Sequence, residues 1–350
     1  GDDTDFEFTV ALTNAPITGT YGDMSFSEGV ATVTLKGGES VTVEDLPTTV
    51  DYTVTQTAND DFSTTKTGDE GTISTTQSEA AFKNIMLTDA NFEIVWRDGG
   101  NTSSRPTEGL TTALLSKLAT NGGDPLPVEG QGTITLNADN SWHATITNLP
   151  MYNEDGYEIA YSWREIESVP SGYLPTAHST ETKIASYTYT QKTSATVTIE
   201  WDDEDNQDGI RPTQMTATLS NVTDVTLNLA NNWTTTVENL PKYNDEGNAI
   251  DYNWTQNEDA LPEGYEMTNL SKAGTATTIT NSHTPEETEV NVSMAWDDNN
   301  NVEGFRPESV TVHLKKGNEV IESEVLNADN SWTHTWKKLD KYDNGTAINY

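Results

Sequence analysis

The chain has 350 residues, of which 33% are apolar and none is Cys; 18 Lys and Arg against 56 Asp and Glu give a formal net charge of 18 − 56 = −38. Such a charge repels nucleic acid and anionic membrane, and the missing thiols exclude disulfides, thiolate metal sites and a Cys nucleophile. The length allows two to four domains at roughly 100–200 residues each, with no apolar run near the ~18–20 residues of a membrane helix.

In chain order, "FEFTVALT" places Phe6, Phe8, Val10 and Leu12 on one face of a strand. "ATVTLKGGESVTVEDLPTTVDYTVTQ" adds two or three alternating strands, and "AAFKN" closes this first unit near Asn84. The next strand carries Phe92, Ile94 and Trp96 on one face, and the stretch "TEGLTTALLSKLA" around Leu114 leans toward helix. Further on, Val197, Ile199 and Trp201 share a face, as do Val290, Val292, Met294 and Trp296. Period-two apolar spacing marks half-buried strands, and turn signals every ~8–12 residues indicate an all-β fold of sandwich domains.

One pattern recurs. "VTIEWDDEDNQDGIRP" ending at Pro212 returns as "VSMAWDDNNNVEGFRP" ending at Pro307, and more loosely as "FEIVWRDGGNTSSRP" ending at Pro106. Each is followed by an L-N-x-x-N-x-W block ending at Trp142, Trp233 or Trp332, and then by "NLPMYNEDGYEIAYSW", "NLPKYNDEGNAIDYNW" or "KLDKYDNGTAINY". The leading Trp96, Trp201 and Trp296 lie 105 and then 95 residues apart. That period exceeds the ~20–50 residues of a solenoid unit, so it marks an array of domains. The expected domains are 1–88, 89–194, 195–286 and 287–350, tandem sandwiches joined into a rod by the short segments "IMLTDAN", "TQKTSA" and "HTPEETE". Both ends read as cut. The chain is expected to be a segment of a longer fibre, or else neighbours complete one another by strand exchange.

The repeats resemble the collagen-adhesin B-type (Cna B) domain of bacterial surface proteins, through the W-D-D-x-N-x-x-G-x-R-P opening, the L-N-x-x-N-x-W strand, the N-L-P-K-Y turn and the pair Gly264–Tyr265. Residues 1–88 are similar to the isopeptide-linkage domain of streptococcal-type backbone pilins, through "LKGGESVTVEDLP", "YTVTQ" and "AAFKN". The resemblance implies an extracellular stalk or pilus-shaft module, often locked by an intramolecular isopeptide bond. In that reaction a buried Lys amine attacks an Asn amide, ammonia leaves, and a neighbouring acid shuttles the proton.

Carried onto this chain, the triad is incomplete. The Lys position, two before the opening Trp, holds Ile94, Ile199 and Met294. The acid position holds Glu165 in the first repeat and Gln256 in the second; the Asn position holds Asn281 in the second and Tyr187 or Tyr189 in the first. In the pilin-like unit Asn84 is present, but Gln56 replaces the acid. A lone Lys or Glu in an apolar core costs several kcal/mol unless neutralised, and these exchanges remove that cost. No isopeptide bond is expected.

The acidic loops with Asp202, Asp203, Asp205 and Asp208, and with Asp297 and Asp298, have the oxygen ligands that suit Ca²⁺. The EF-hand spacing is absent, and solvated turns are the preferred reading. Trp142, Trp233 and Trp332, with Tyr152, Tyr243 and Tyr342, could stack sugars, yet their recurrence in every repeat favours packing. The five His show no metal-binding or catalytic spacing. The sequence therefore reads as a non-enzymatic, cofactor-free extracellular stalk whose partners are neighbouring copies or further domains of the same fibre. The alternative is an adhesin that binds a matrix or glycan ligand on a host or community surface; neither nucleic acid nor membrane insertion is expected.

Overall fold

The computed structural model describes residues 3–120, 122–220 and 222–350. Among them the secondary structure is β-strand, with three-residue 3₁₀ turns as the helical elements. The chain divides into two compact units, Gly1–Thr190 and Gln191–Tyr350.

In the first unit, Phe6–Thr13 lies between Val30–Leu35 and Asp51–Gln56, with Glu70–Thr72 at the far edge, all antiparallel. Its apolar face buries Phe6 and Leu12, and Leu12 packs with Met24, Phe26, Ala31, Val50 and Tyr52. Strand Ala81–Arg97 then serves two cores. Its first residues pair with Phe62–Thr67, and its later ones pair antiparallel with His143–Pro150 and parallel with Ile184–Thr190. The expected linker "IMLTDAN" is therefore no loop but the middle of a continuous strand. Likewise "TQKTSA" lies within strand Ile184–Asp202. The third linker does break, between Ala276–His283 and Glu287–Ser293, where Pro285 has no N–H for a sheet ladder.

The helix-leaning stretch is corrected by the structure. It forms strands Leu110–Thr112 and Leu114–Leu118, the latter paired with both Leu126–Pro127 and Ile159–Trp163. Burial of Leu110 and Leu114 together with cross-strand pairing overrides a weak local preference. These strands close over Phe92, Ile94, Trp163, Tyr187 and Tyr189 to complete the second core of this unit.

The second unit repeats the plan. Strand Ile184–Asp202 pairs antiparallel with Thr234–Pro241 and parallel with Ala276–His283, and Tyr265–Ala273 lines the edge. Gln214–Leu219, between Thr223–Asn228 and Trp254–Gln256, forms the facing layer. Val197, Ile199, Ala217, Leu219, Leu227 and Ile279 fill the space between. In the third repeat Glu287–Ser293 pairs with Thr333–Asp340, and Ser309–Lys316 with Glu319–Asn327. Its core is thin, with Leu314, Trp336 and Leu339 packed together and Leu326 and Trp332 also buried.

Two repeat motifs have local physical causes. In L-N-x-x-N-x-W the two Asn cap one another. Asn228 Oδ1 accepts from the N–H groups of Ala230 and Asn231, while Asn231 Oδ1 accepts from the N–H of Asn228 at 2.9 Å. Asn137 with Asn140, and Asn327 with Asn330, do the same. This turn throws Trp142, Trp233 and Trp332 into the left-handed region, at φ 61°, 55° and 59°. Strain at a bulky residue persists only where packing over-determines it, and each of these rings is buried. In the N-L-P motif, Asn148 and Asn239 sit at positive φ beside a break in register with the opening strand. A bulge needs such a residue, and Asn tolerates it.

Candidate functional site

The positions that would form a bond in the resembling families lie where the strand registers place them. Ile94 and Ile199 are buried, and Met294 is half-buried. Parallel pairing sets Asn281 opposite Trp201 and Tyr189 opposite Trp96, so Tyr189 rather than Tyr187 occupies the Asn position of the first repeat. Burial, with Tyr187 beside it, pushes the Tyr189 hydroxyl up to about 12. Tyr187 has a separate task, accepting the backbone N–H of Ile166 at 3.2 Å.

In the second repeat the amides of Gln256 and Asn281 face each other head to tail. Gln256 Nε2 donates to Asn281 Oδ1 at 2.6 Å, and Asn281 Nδ2 donates to Gln256 Oε1 at 3.2 Å. Asn281 is fully buried, so this neutral pair satisfies a polar group that could not otherwise be left in the core. The N-terminal domain has the same pairing between Gln56 and Asn84, at 2.9 and 3.1 Å, with the Thr64 hydroxyl donating to Asn84 Oδ1 at 2.6 Å. Glu165 does not join a core triad. Its side chain is 70% exposed and lies 3.9 Å from His178.

Within the acidic loops Asp203 and Asp208 are buried, while Asp202, Asp205 and Asp297 are exposed as solvated turns would leave them. Asp203 is 2% exposed and is clamped by Arg211, with Nε donating to Oδ2 at 2.8 Å and a second guanidinium nitrogen donating to Oδ1 at 2.5 Å. The Tyr265 hydroxyl donates to the same Oδ2 at 2.6 Å. Burial pushes the Asp203 carboxyl up, but the hydrogen bonds from Arg211 and Tyr265 outweigh it and hold the group below the usual carboxylate range. Arg211 also lies 5.8 Å from the Trp201 ring centre, a cation–π distance. The first repeat matches this with Asp98, Arg105, Tyr173 and Trp96.

The third repeat keeps Asp298, Arg306 and Trp296, with Arg306 donating to Asp298 at 2.8 and 2.7 Å. Asp202, Asp205 and Asp297 stay exposed, and among the described residues no group of three acidic or His side chains is arranged to hold a metal ion. The sequence did carry a signal for the clamp, since an Asp two after each leading Trp precedes an Arg-Pro in every repeat.

Asp208 is buried for a different reason. Its Oδ2 accepts the Glu286 N–H at 2.8 Å and faces His283 Nε2 at 2.8 Å, while His283 Nδ1 faces the Gly264 carbonyl at 2.9 Å. With an acceptor at each ring nitrogen, the imidazolium is the form that satisfies both. Burial pulls the His283 pKa down, but Asp208 and the Gly264 carbonyl outweigh it and raise the net value. The stabilisation from this pair is thus fully present below the ordinary histidine pKa and is lost as pH rises through the raised value. NMR titration of the ring should show an upward-shifted midpoint that moves down in Asp208→Asn. An ordinary midpoint in both would refute the pairing.

The leading Trp rings of the repeats meet Trp142, Trp233 and Trp332 edge-on at 4.7, 5.0 and 4.9 Å. Trp142, Trp233 and Trp332 are buried, so their rings serve packing, as their recurrence in every repeat suggests.

The Cna protein B-type domain model matches residues 91–192, 195–282 and 290–350. Residues 1–86 match a domain of unknown function (DUF7601). The chain is 33% identical over 312 residues to a collagen adhesin of Staphylococcus aureus, an alignment covering 86% of this chain and 24% of that protein. The chain thus spans about a quarter of that relative's length. Among solved structures, two B repeat units of the collagen binding protein of Staphylococcus aureus align at 27% identity over 99% of this chain and 86% of theirs, with a TM-score of 0.27. The pilus adhesin SpaC from Lactobacillus rhamnosus GG aligns at 13% identity over 97% and 49%, with a TM-score of 0.25. With the family model covering well over half of its residues, the chain belongs to the Cna protein B-type domain family, whose domain it carries as three tandem copies.

Proposed function

We propose that this chain is a structural segment of an extracellular stalk or pilus shaft, anchored at a microbial surface and holding a distal part away from the cell. The observation that carries it is the tandem repetition of one domain after a distinct first one, with four separate buried clusters among the described residues in place of one. On this reading the domains are 1–88, 89–194, 195–286 and 287–350, the first pilin-like, and the separate interiors support such a division. The family matched over most of the chain is a domain of surface adhesins, not of enzymes. No helix of the described residues is long and apolar enough to cross a membrane.

The proposed partners are neighbouring domains of the same fibre, and the negative charge keeps adjacent fibres apart over the ~8 Å Debye length of physiological salt. The collagen adhesin relative motivates a second reading, that one of the domains binds a matrix or glycan ligand. The experiment is a binding screen of the purified chain against collagen, other matrix proteins and a glycan array, alongside surface display of the parent protein with residues 195–286 deleted. The stalk reading expects no saturable binding by the chain and reduced accessibility of a distal epitope in the deletion. Saturable binding at roughly micromolar Kd with unchanged epitope accessibility would establish the adhesin instead.

The same reading holds that these domains are stabilised without covalent cross-links, because Ile94, Ile199 and Met294 lack an amine and Gln56 and Gln256 lack an acid. Intact-mass measurement is expected to give the full sequence mass. A deficit of about 17 Da, one ammonia per bond formed, would contradict it.

A further inference from the structure

We infer that the second repeat grips the third through a built joint, in which Asp208 and Gly209 of one loop hold the connecting residues and the Asn344–Gly345 turn, so that these two repeats move as one body. The inference concerns the joint alone and stands or falls separately from the stalk reading.

Three contacts meet there, all inside the second compact unit. Asp208, from the loop after Trp201, accepts the Glu286 N–H in the segment that connects the two repeats. His283, the last residue of the second repeat's final strand, faces the same carboxylate oxygen. The side chains of His283 and Asp208 are 8% and 3% exposed, so the connecting segment is tied to a buried charge. One residue on, Gly209 meets the hairpin between Tyr342–Asp343 and Thr346–Ala347 of the third repeat, where the Gly345 N–H donates to the Gln207 carbonyl at 3.0 Å.

The two glycine backbones touch. A Cβ added at Gly209 would fall against Gly345 Cα and 2.8 Å from Gly345 N, and one added at Gly345 would fall 3.0 Å from Gly209 Cα. No other residue type fits either position without moving the repeats apart, and φ of +70° and +75° adds strain for any side chain. A backbone approach this close, made by glycine on both sides, is the mark of a docked surface and not of two modules that happen to be neighbours.

Comparison between repeats sharpens the point. The third repeat has the same pair as Glu303–Gly304, with Gly304 at φ +71° and nothing within 4 Å of an added Cβ. The two glycines thus share one backbone conformation, at φ +70° and +71°. In the first repeat the loop from Asp98 to Arg105 is one residue shorter than that from Asp203 to Arg211 and has neither the acid nor the glycine at these places.

Relative motion is the default for domains that share a small polar interface, so the inference is testable against a definite alternative. The chain has no Cys, which lets Glu238→Cys and Glu322→Cys, both at exposed positions, carry a unique pair of spin labels in the full chain. Pulsed electron–electron distance measurement is expected to give one narrow distribution. Gly209→Val, which wedges the joint without entering either core, should about double its width, since it returns the repeats to independent motion. Asp208→Ala, which leaves the backbone unchanged, should broaden it in the same direction. Circular dichroism checks that each variant keeps its strand content; if Gly209→Val loses it, Asp208→Ala decides alone. A distribution already broad in the parent overturns the joint. A narrow one that neither variant widens assigns the stiffness to the connecting segment and overturns it equally.

Discussion

Asp203→Ala is expected to destabilise the second repeat by about 3–5 kcal/mol, the loss typical when one partner of a buried ion pair is removed. The substitution strands the Arg211 guanidinium, whose side chain is 19% exposed, and leaves the Tyr265 hydroxyl without its acceptor. Asp298→Ala makes the same chemical change in the third repeat and should matter far less. There the carboxylate and guanidinium are 27% and 25% exposed, and water solvates what the substitution leaves behind. Denaturant unfolding with Trp fluorescence can compare the two variants in the full chain. Equal losses would mean that burial is not what makes the clamp matter. Because Asp203 is held below the ordinary carboxylate range, its contribution is present above that range and disappears as pH falls through the lowered value. The second repeat of the parent should therefore lose stability in acid, and Asp203→Asn should flatten that dependence.

Gln256→Leu should cost the second repeat about 1–3 kcal/mol, the penalty for leaving a buried amide unpaired. Asn281 is fully buried, and its side-chain amide exchanges hydrogen bonds with Gln256. Adding Asn281→Leu should return the stability to within about 1 kcal/mol of the parent, since replacing both partners by apolar groups of similar shape removes the unmet polar groups together. The double-mutant cycle measures the coupling directly. Single losses that simply add would show that the amides act independently. With Gln256 and Asn281 facing each other the two amides satisfy one another, and Ile199 contributes apolar burial to the same core.

The two expectations share a cause. In both places a polar group sits inside a small β core, and the core tolerates it only because a partner of matching hydrogen-bonding capacity faces it. These are the positions where a domain with so little apolar surface to bury is most easily broken.

The strand faces, the repeat and the family were legible from one sequence, because period-two burial and recurrent turn chemistry are local and leave their imprint on residue order. Phe92 with Ile94 and Val197 with Ile199 face the interior as their spacing indicates, and the L-N-x-x-N-x-W motif encodes a turn closed by its own two Asn side chains. What the sequence could not convey were the meetings of residues far apart in the chain. Asp203 reads as one more acid in a hydrated loop until strand pairing brings Tyr265 to it. The stretch around Leu114 leans to helix until Ile159–Trp163 pairs with it. His283 has no motif at all, and acquires a partner because the fold returns it to a loop 75 residues earlier. Periodicity determines which way a side chain faces, whereas burial, ionisation and pairing depend on what the rest of the chain places in front of it.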